Sequence, residues 1–261
     1  MGFLSVVHSD TGIHKDMNQD AVLIKEAETD YGKVMLAVVC DGMGGLSRGE
    51  VASAALIRAF SDWFETRFPD LLYTRRTEEG IERSRLELEL DGLVQDMNRR
   101  IEQYSRKFHE RMGTTAALLL MAEGNYYTMN VGDSRVYRIT SDTVSRLTTD
   151  QTVVQKEIEQ GRLSREEALN HPQRNVLLQC VGASKNVVPE FTFGAYAKGQ
   201  IYMLCSDGFR HLLTEEEMLQ TMSPSVLKTE RQMYEAAVSC TELNKMRQER
   251  DNISIILLKI C

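Results

Sequence analysis

The sequence predicts an α+β fold. Strand-like runs open the chain, crowd its middle and close it, while helical runs are inserted between groups of strands. Most neighbouring strands are separated by short turns, which suit antiparallel hairpins, and the regular alternation a parallel sheet needs is missing. Residues 21–25 and 34–40 (VMLAVVC) form the first strands, joined by a short polar turn. Val51, Ala52, Ala55, Leu56, Ala59, Phe60, Trp63 and Phe64 then recur at helical spacing. Ser47 and Glu50 are set for a capping box ahead of this helix, and Pro69 stops the pattern. Residues 71–82 are polar and read as a loop or a frayed helix start. A second helix near 84–110 carries the stripe Leu86, Leu90, Leu93, Val94, Met97, Ile101, Tyr104 and Phe108, which is core-facing. Strands follow at 115–122, 125–131, 134–139 and 143–147. Residues 151–171 turn helical and charged, a surface insert between strands. Strands at 187–193 and 200–205, helices near 214–221 and 227–247, and a strong strand at 252–260 complete the order. The two long early helices cover one sheet and the later pair another.

At 261 residues, with 42% hydrophobic and 26% charged residues, the chain is an ordinary globular mixture able to bury most of its apolar surface. Its four prolines do not cluster, and no linker or repeat divides it, so one domain over 1–261 is expected, with an insert near 151–175. Thirty-eight acids against 31 bases leave −7. That disfavours nucleic-acid and membrane-surface partners, both of which need a basic face. No apolar run is long enough to span a bilayer, and the first residues, MGFLSVVHSDTG, lack the pattern of a signal peptide. Cysteines stand at 40, 180, 205, 240 and 261, an odd number without a C-x-x-C. Cys40 and Cys205 lie in apolar runs, as reduced core thiols of a cytoplasmic protein do.

The chemistry-bearing residues are aspartates at the ends of apolar strands. Asp41 follows VMLAVVC and opens Asp41-Gly42-Met43-Gly44-Gly45. Asp207 follows IYMLC-Ser206, and Asp251 precedes Asn252 and ISIILLKI. If the last strand runs antiparallel to the others, all three reach one edge of the core. Asp133, in Gly132-Asp133-Ser134-Arg135, sits between two strands expected to form a hairpin. A lone Asp-Gly marks a turn more often than a site. Several carboxylates on one rim repel one another and lose hydration, and a divalent cation removes that cost. Carboxylate oxygens without His or Cys suit Mg²⁺ or Mn²⁺. The chain has no phosphate-binding lysine loop, no G-x-G-x-x-G, no H-E-x-x-H and no nucleophile elbow. Histidines 8, 14, 109, 171 and 211 show no ligand spacing and read as surface or core polar groups.

Taken in order, these segments resemble the protein phosphatase type 2C family in its bacterial form. The resemblance rests on Thr11-Gly12 with Asn18-Gln19-Asp20, on Val39 to Gly45 with Gly49-Glu50-Val51-Ala52, and on Gly113-Thr114-Thr115. Asn130 to Arg135, Leu147 to Asp150, His171 to Asn175, Cys205 to Gly208 and Asp251-Asn252 continue it along the chain. It implies two antiparallel sheets sandwiched between helix pairs. It also implies a Mn²⁺- or Mg²⁺-dependent protein-serine/threonine phosphatase with two ions, or three. By position, Asp41 bridges two metals and the Gly42 carbonyl binds one. Asp207 and Asp251 hold the other, and Asp133 with Asp207 matches a third, weaker site. Gln19, Asp20 and Asn252 stand behind these ligands, with Asp20 and Asn252 orienting water and ligand. Residues 151–171 match a mobile flap. The implied reaction is in-line attack on phosphorus by a water between the metals, with the leaving oxygen protonated from solvent or from another bound water. The implied partners are phosphoproteins, including a Ser/Thr kinase, met by a monomer in the cytoplasm.

Five positions, in three groups, depart from the family pattern. Lys15 stands in place of a phosphate-gripping arginine, keeping the charge but not the bidentate fork. Gln19 replaces an acid. Met43, Leu46 and Gln151 replace frequent histidines, which argues against proton delivery by histidine. Two other readings stay open. One is a phosphoprotein-binding regulatory module of the same fold without turnover, and the other is a metal-dependent nuclease, against which the −7 charge counts.

Overall fold

The computed structural model describes residues 2–43, 48–74, 76–77, 80–169 and 171–261, with 76–77 described by backbone alone. Strands β1 (Phe3–Asp10), β2 (Asp20–Thr29) and β3 (Gly32–Asp41) lead to helices α1 (Gly49–Thr66) and α2 (Phe68–Tyr73). The short strands β4 (Arg76–Thr77) and β5 (Gly80–Ile81) precede α3 (Arg83–Phe108). Then come β6 (Ala116–Ala122), β7 (Asn125–Val131), β8 (Arg135–Ile139) and β9 (Val144–Arg146). Helices α4 (Val153–Glu159) and α5 (Arg165–Leu169) form the insert. The chain continues through β10 (Glu190–Ala195), β11 (Ile201–Cys205), α6 (Asp207–Arg210), α7 (Glu215–Met222), α8 (Glu230–Met246) and β12 (Ile253–Ile260).

Two five-stranded antiparallel sheets result, ordered β1-β12-β11-β8-β9 and β10-β7-β6-β3-β2. Period-two alternation explains how they stack. In β3, Val34, Leu36, Val38 and Cys40 face α1, α2 and α3, while Met35, Ala37 and Val39 face the other sheet. In β12, Ile253, Ile255 and Leu257 face α7 and α8, while Ile256, Leu258 and Ile260 face inward. Both strands are apolar on both faces because each is covered on both. The α+β sandwich flanked by helices is therefore the fold the sequence predicts.

The differences have physical causes. β1 is half-buried and carries Ser5, His8, Ser9 and Asp10, so its apolar signal is too thin to read. Pro69 does not end the helical region. It sits in the first turn of α2, where proline is tolerated. Residues 132–134 are not the turn of a hairpin: β7 pairs with β6 and β10, and β8 with β11 and β9. Gly132, at φ +100°, instead turns the chain from one sheet to the other. Ser47, the expected cap of α1, lies outside the described residues; Arg48 precedes the helix without a side-chain cap.

Candidate functional site

The inner apolar rows of the sandwich end in carboxylates. Met35, Ala37 and Val39 are followed on the same face of β3 by Asp41, and Asp20 is its register partner on β2. From the other sheet, Asp207 follows β11 and Asp251 leads into β12, which pairs antiparallel with β11. The geometry thus brings Asp41, Asp207, Asp251 and Asp133 to one cleft of about 470 Å³, shared with Lys15, Arg111 and Thr115.

Close backbone approaches set these side chains. A Cβ on Gly42 would lie 2.5 Å from the carbonyl oxygens of Gln19 and Gly49, so α1 packs directly on the Asp41-Gly42 turn. A Cβ on Gly208 would lie 2.2 Å from the Asn252 carbonyl oxygen, so only glycine lets the Asp207 turn meet the start of β12. The Asp41 N–H donates to Thr115 Oγ1 at 3.0 Å, and its carbonyl accepts from the Thr115 N–H at 2.9 Å. Asn252, buried, donates to the Thr11 and Met17 carbonyls at 2.9 and 3.1 Å and accepts from the Gln19 N–H at 3.0 Å. It thereby fastens the 11–19 loop that carries Lys15, whose Nζ lies 3.0 Å from Asp251 Oδ1.

The carboxylates perturb one another strongly. Burial, then the charges of Asp20, Asp207, Asp251 and Asp133, push the Asp41 carboxyl well above the usual range. Burial also carries Asp20 to about 7 against the opposing hydroxyls of Ser254 and Ser206. It carries Asp133 to about 7 as well, with Asp207 adding to the rise and Arg210 opposing it. Asp207 is lowered: burial works against its ionised form, but His211 and Arg210 outweigh it.

The outer residues divide. The carboxylate oxygens of Asp20 are buried without a hydrogen-bond partner. Gln19 turns away, and its Nε2 donates to Glu50 at 3.1 Å. Gln151 braces the Asp133 turn, accepting the Gly132 N–H at 2.8 Å. Gly44, Gly45 and Leu46 lie outside the described residues. The insert is clasped at its base, where Thr152 bridges Leu177 and the Val153 N–H donates to the Val176 carbonyl at 2.9 Å. Asn175 and Leu177 from this base line the cleft.

Sequence reasoning missed Arg111, Arg210 and His211. His211 lies behind Asp207, with Nε2 3.4 Å from Asp207 Oδ2 and Nδ1 3.7 Å from Glu249 Oε2. Its i,i+4 spacing from Asp207 was the available signal. Arg210 NH2 lies 3.5 Å from Asp133 Oδ2. Arg111 had only its place two residues before Gly113-Thr114-Thr115 to mark it.

The donor set fits hard cations. Asp207 Oδ1 is buried without a hydrogen-bond donor, an arrangement that costs free energy unless something positive faces it. All the candidate donors are oxygen. Among the described residues no three acidic, His or Cys side chains already close into a cage. Three of the carboxylates instead have a protein side chain against them: Lys15 on Asp251, His211 on Asp207 and Arg210 on Asp133.

A two-sheet sandwich whose inner rows end in converging carboxylates is an architecture whose donor set suits hard cations. Within that architecture the chain belongs to the protein phosphatase 2C family, whose model matches residues 10–245. It is 31% identical over 258 residues to the serine/threonine phosphatase stp of Listeria innocua, covering 95% of this chain and 96% of that protein. The crystal structure of serine/threonine phosphatase Stp1 from Staphylococcus aureus matches with a TM-score of 0.84 at 29% identity, covering 100% of this chain and 96% of that one. The catalytic domain of the serine/threonine protein phosphatase PstP, solved with 2 manganese ions, matches with a TM-score of 0.76 at 25% identity over 98% of this chain and 97% of that one.

Proposed function

We infer that this chain is a metal-dependent protein-serine/threonine phosphatase that hydrolyses phosphoserine and phosphothreonine in proteins. The observation that carries the reading is the meeting of Asp41, Asp207 and Asp251, from three distant stretches and both sheets, at one cleft. Asp41, the Gly42 carbonyl, Asp207 and Asp251 would hold two ions of Mn²⁺ or Mg²⁺. When bound, such ions supply Lewis acidity, making water nucleophilic at neutral pH and drawing charge from phosphoryl oxygens. Lys15 and Arg111 bring positive charge to the same cleft and would orient the phosphate. Lys15 must leave Asp251 to do so, and at 29% exposure its side chain has room to swing. Asp20, the register partner of Asp41, would stand behind it, and Asn252 keeps the Lys15 loop seated. The 151–175 insert borders the cleft and would meet the peptide around the phosphorylated residue.

The substrates would include a Ser/Thr kinase and its targets, met in the cytoplasm by a monomer. Among the described residues no helix is long and apolar enough to cross a membrane.

Hydrolysis of a phosphothreonine peptide with Mn²⁺, with EDTA, and by Asp207→Asn tests the reading. Lewis-acid stabilisation is worth several kcal/mol and each 1.4 kcal/mol is tenfold, so EDTA and Asp207→Asn should each cost at least about a hundredfold in kcat/KM. Equal rates in all three would reject it. Phosphopeptide binding without phosphate release would support the regulatory-module reading instead.

A further inference from the structure

Four carboxylates face the cleft, and they differ in what already neutralises them. Asp251 has Lys15, a partly exposed amine on a mobile stem. Asp207 has His211 on one oxygen and leaves Oδ1 without a donor. Asp133 differs from both. Its partner, Arg210, is a guanidinium only 9% exposed, against 7% for Asp133 itself. Arg210 NH2 is anchored at a second point, donating to the Asp133 backbone carbonyl at 2.9 Å, and lies 3.7 Å from Asp150 Oδ2. It has little solvent to swing into.

The surroundings add further positive charge. Asp150 is already held bidentately by Arg135, with Nε–Oδ1 2.7 Å and NH2–Oδ2 2.5 Å, and Arg146 NH1 lies 3.6 Å from it. Three guanidinium groups therefore surround Asp133 and Asp150, with Asp207 the further carboxylate acting on Asp133, and a guanidinium stays protonated at any ordinary pH. A dication placed on Asp133 would have to sit against the Arg210 guanidinium already there or displace it, and like charges that close repel.

We propose that the buried Arg210 guanidinium permanently occupies the cation position at Asp133, so that this phosphatase binds its metal ions at Asp41, Asp207 and Asp251 and takes no ion at Asp133. The proposal rests on the metal-dependent reading above. It makes Arg210 a positioning residue, holding the Asp133 turn in place of a metal.

Manganese bound per chain, measured by equilibrium dialysis with atomic absorption, tests it. The wild-type protein should bind two ions, and Asp133→Asn should leave both the count and the affinity unchanged. Arg210→Gln should gain one ion per chain, and that extra ion should be lost in Arg210→Gln/Asp133→Asn. Because Arg210 is buried, the Asp133→Asn comparison in the wild-type background stands alone if Arg210→Gln does not fold. Three ions in the wild type, falling to two in Asp133→Asn, would overturn the proposal while leaving the metal-dependent reading intact. No bound Mn²⁺ in the wild type would instead overturn the metal-dependent reading, and the proposal with it.

Discussion

Asn252 illustrates how one side chain can serve the cleft without facing the phosphate. Its three hydrogen bonds all go to the backbone of the 11–19 loop, at Thr11, Met17 and Gln19. The resemblance implies a residue that orients water and ligand, whereas the geometry gives it a clasp. Replacement by alanine leaves three backbone groups without their partner, and an orphaned buried polar group costs about 1–3 kcal/mol. Asn252→Ala should therefore lower the stability measured by urea unfolding by at least that amount for one such group. Since the loop carries Lys15, KM for a phosphopeptide should rise more than kcat falls. Wild-type stability with an unchanged KM would remove Asn252 from this role. His211 shows no ligand spacing to the other histidines because its partner is a carboxylate, Asp207, one helical turn earlier.

At the scale of elements, legibility followed burial. β3, β6, β11 and β12 are buried along nearly their whole length, and each reads from the sequence as a continuous apolar run. β1 and the second half of β2 are half-exposed and carry charged or polar residues such as His8, Lys25, Glu26 and Glu28, so the sequence hides them. Asp41, Asp207 and Asp251 were legible because each abuts one of the loud strands. Arg210 was not, since its function depends on Asp133, 77 residues away. The two later helices also read well, and local chemistry explains why. Thr214 with Glu217, and Thr229 with Gln232, form complete capping boxes. Loss of an N-cap hydroxyl typically costs about 1 kcal/mol, so Thr229→Ala should lower the unfolding free energy by that amount and move the urea midpoint down without changing the unfolding slope. A change in slope would mean that α8 is not docked as a unit in the native state.

For the whole molecule, the sandwich stabilises the protein while its rim opposes that stability. Asp41 is driven well up by burial and like charge, and Asp20 and Asp133 titrate near 7, whereas unfolded aspartates release their protons near ~4. A carboxyl raised in the fold keeps a proton that the unfolded chain has already lost, so folding stability falls as pH rises through the interval between the two values. His211, also raised, acts in the same direction: its contribution is complete below the unfolded value and is lost as pH rises through the folded one. Asp207 and Asp150 are lowered; their contribution is complete above the unfolded value, so they add no slope near neutrality. In EDTA the protein should therefore melt at a lower temperature at about pH 8 than at about pH 5.5. A dication held by Asp41 would take the place of the proton retained there. At a hundredfold excess over Kd, one bound ion stabilises by about 2.7 kcal/mol, on the order of 5–10 °C in Tm for a chain of this size. Mn²⁺ should thus raise Tm more at the higher pH and flatten the slope. Scanning calorimetry across that range checks both signs, and a flat profile in EDTA would show that the carboxylates do not crowd one another as the sandwich requires.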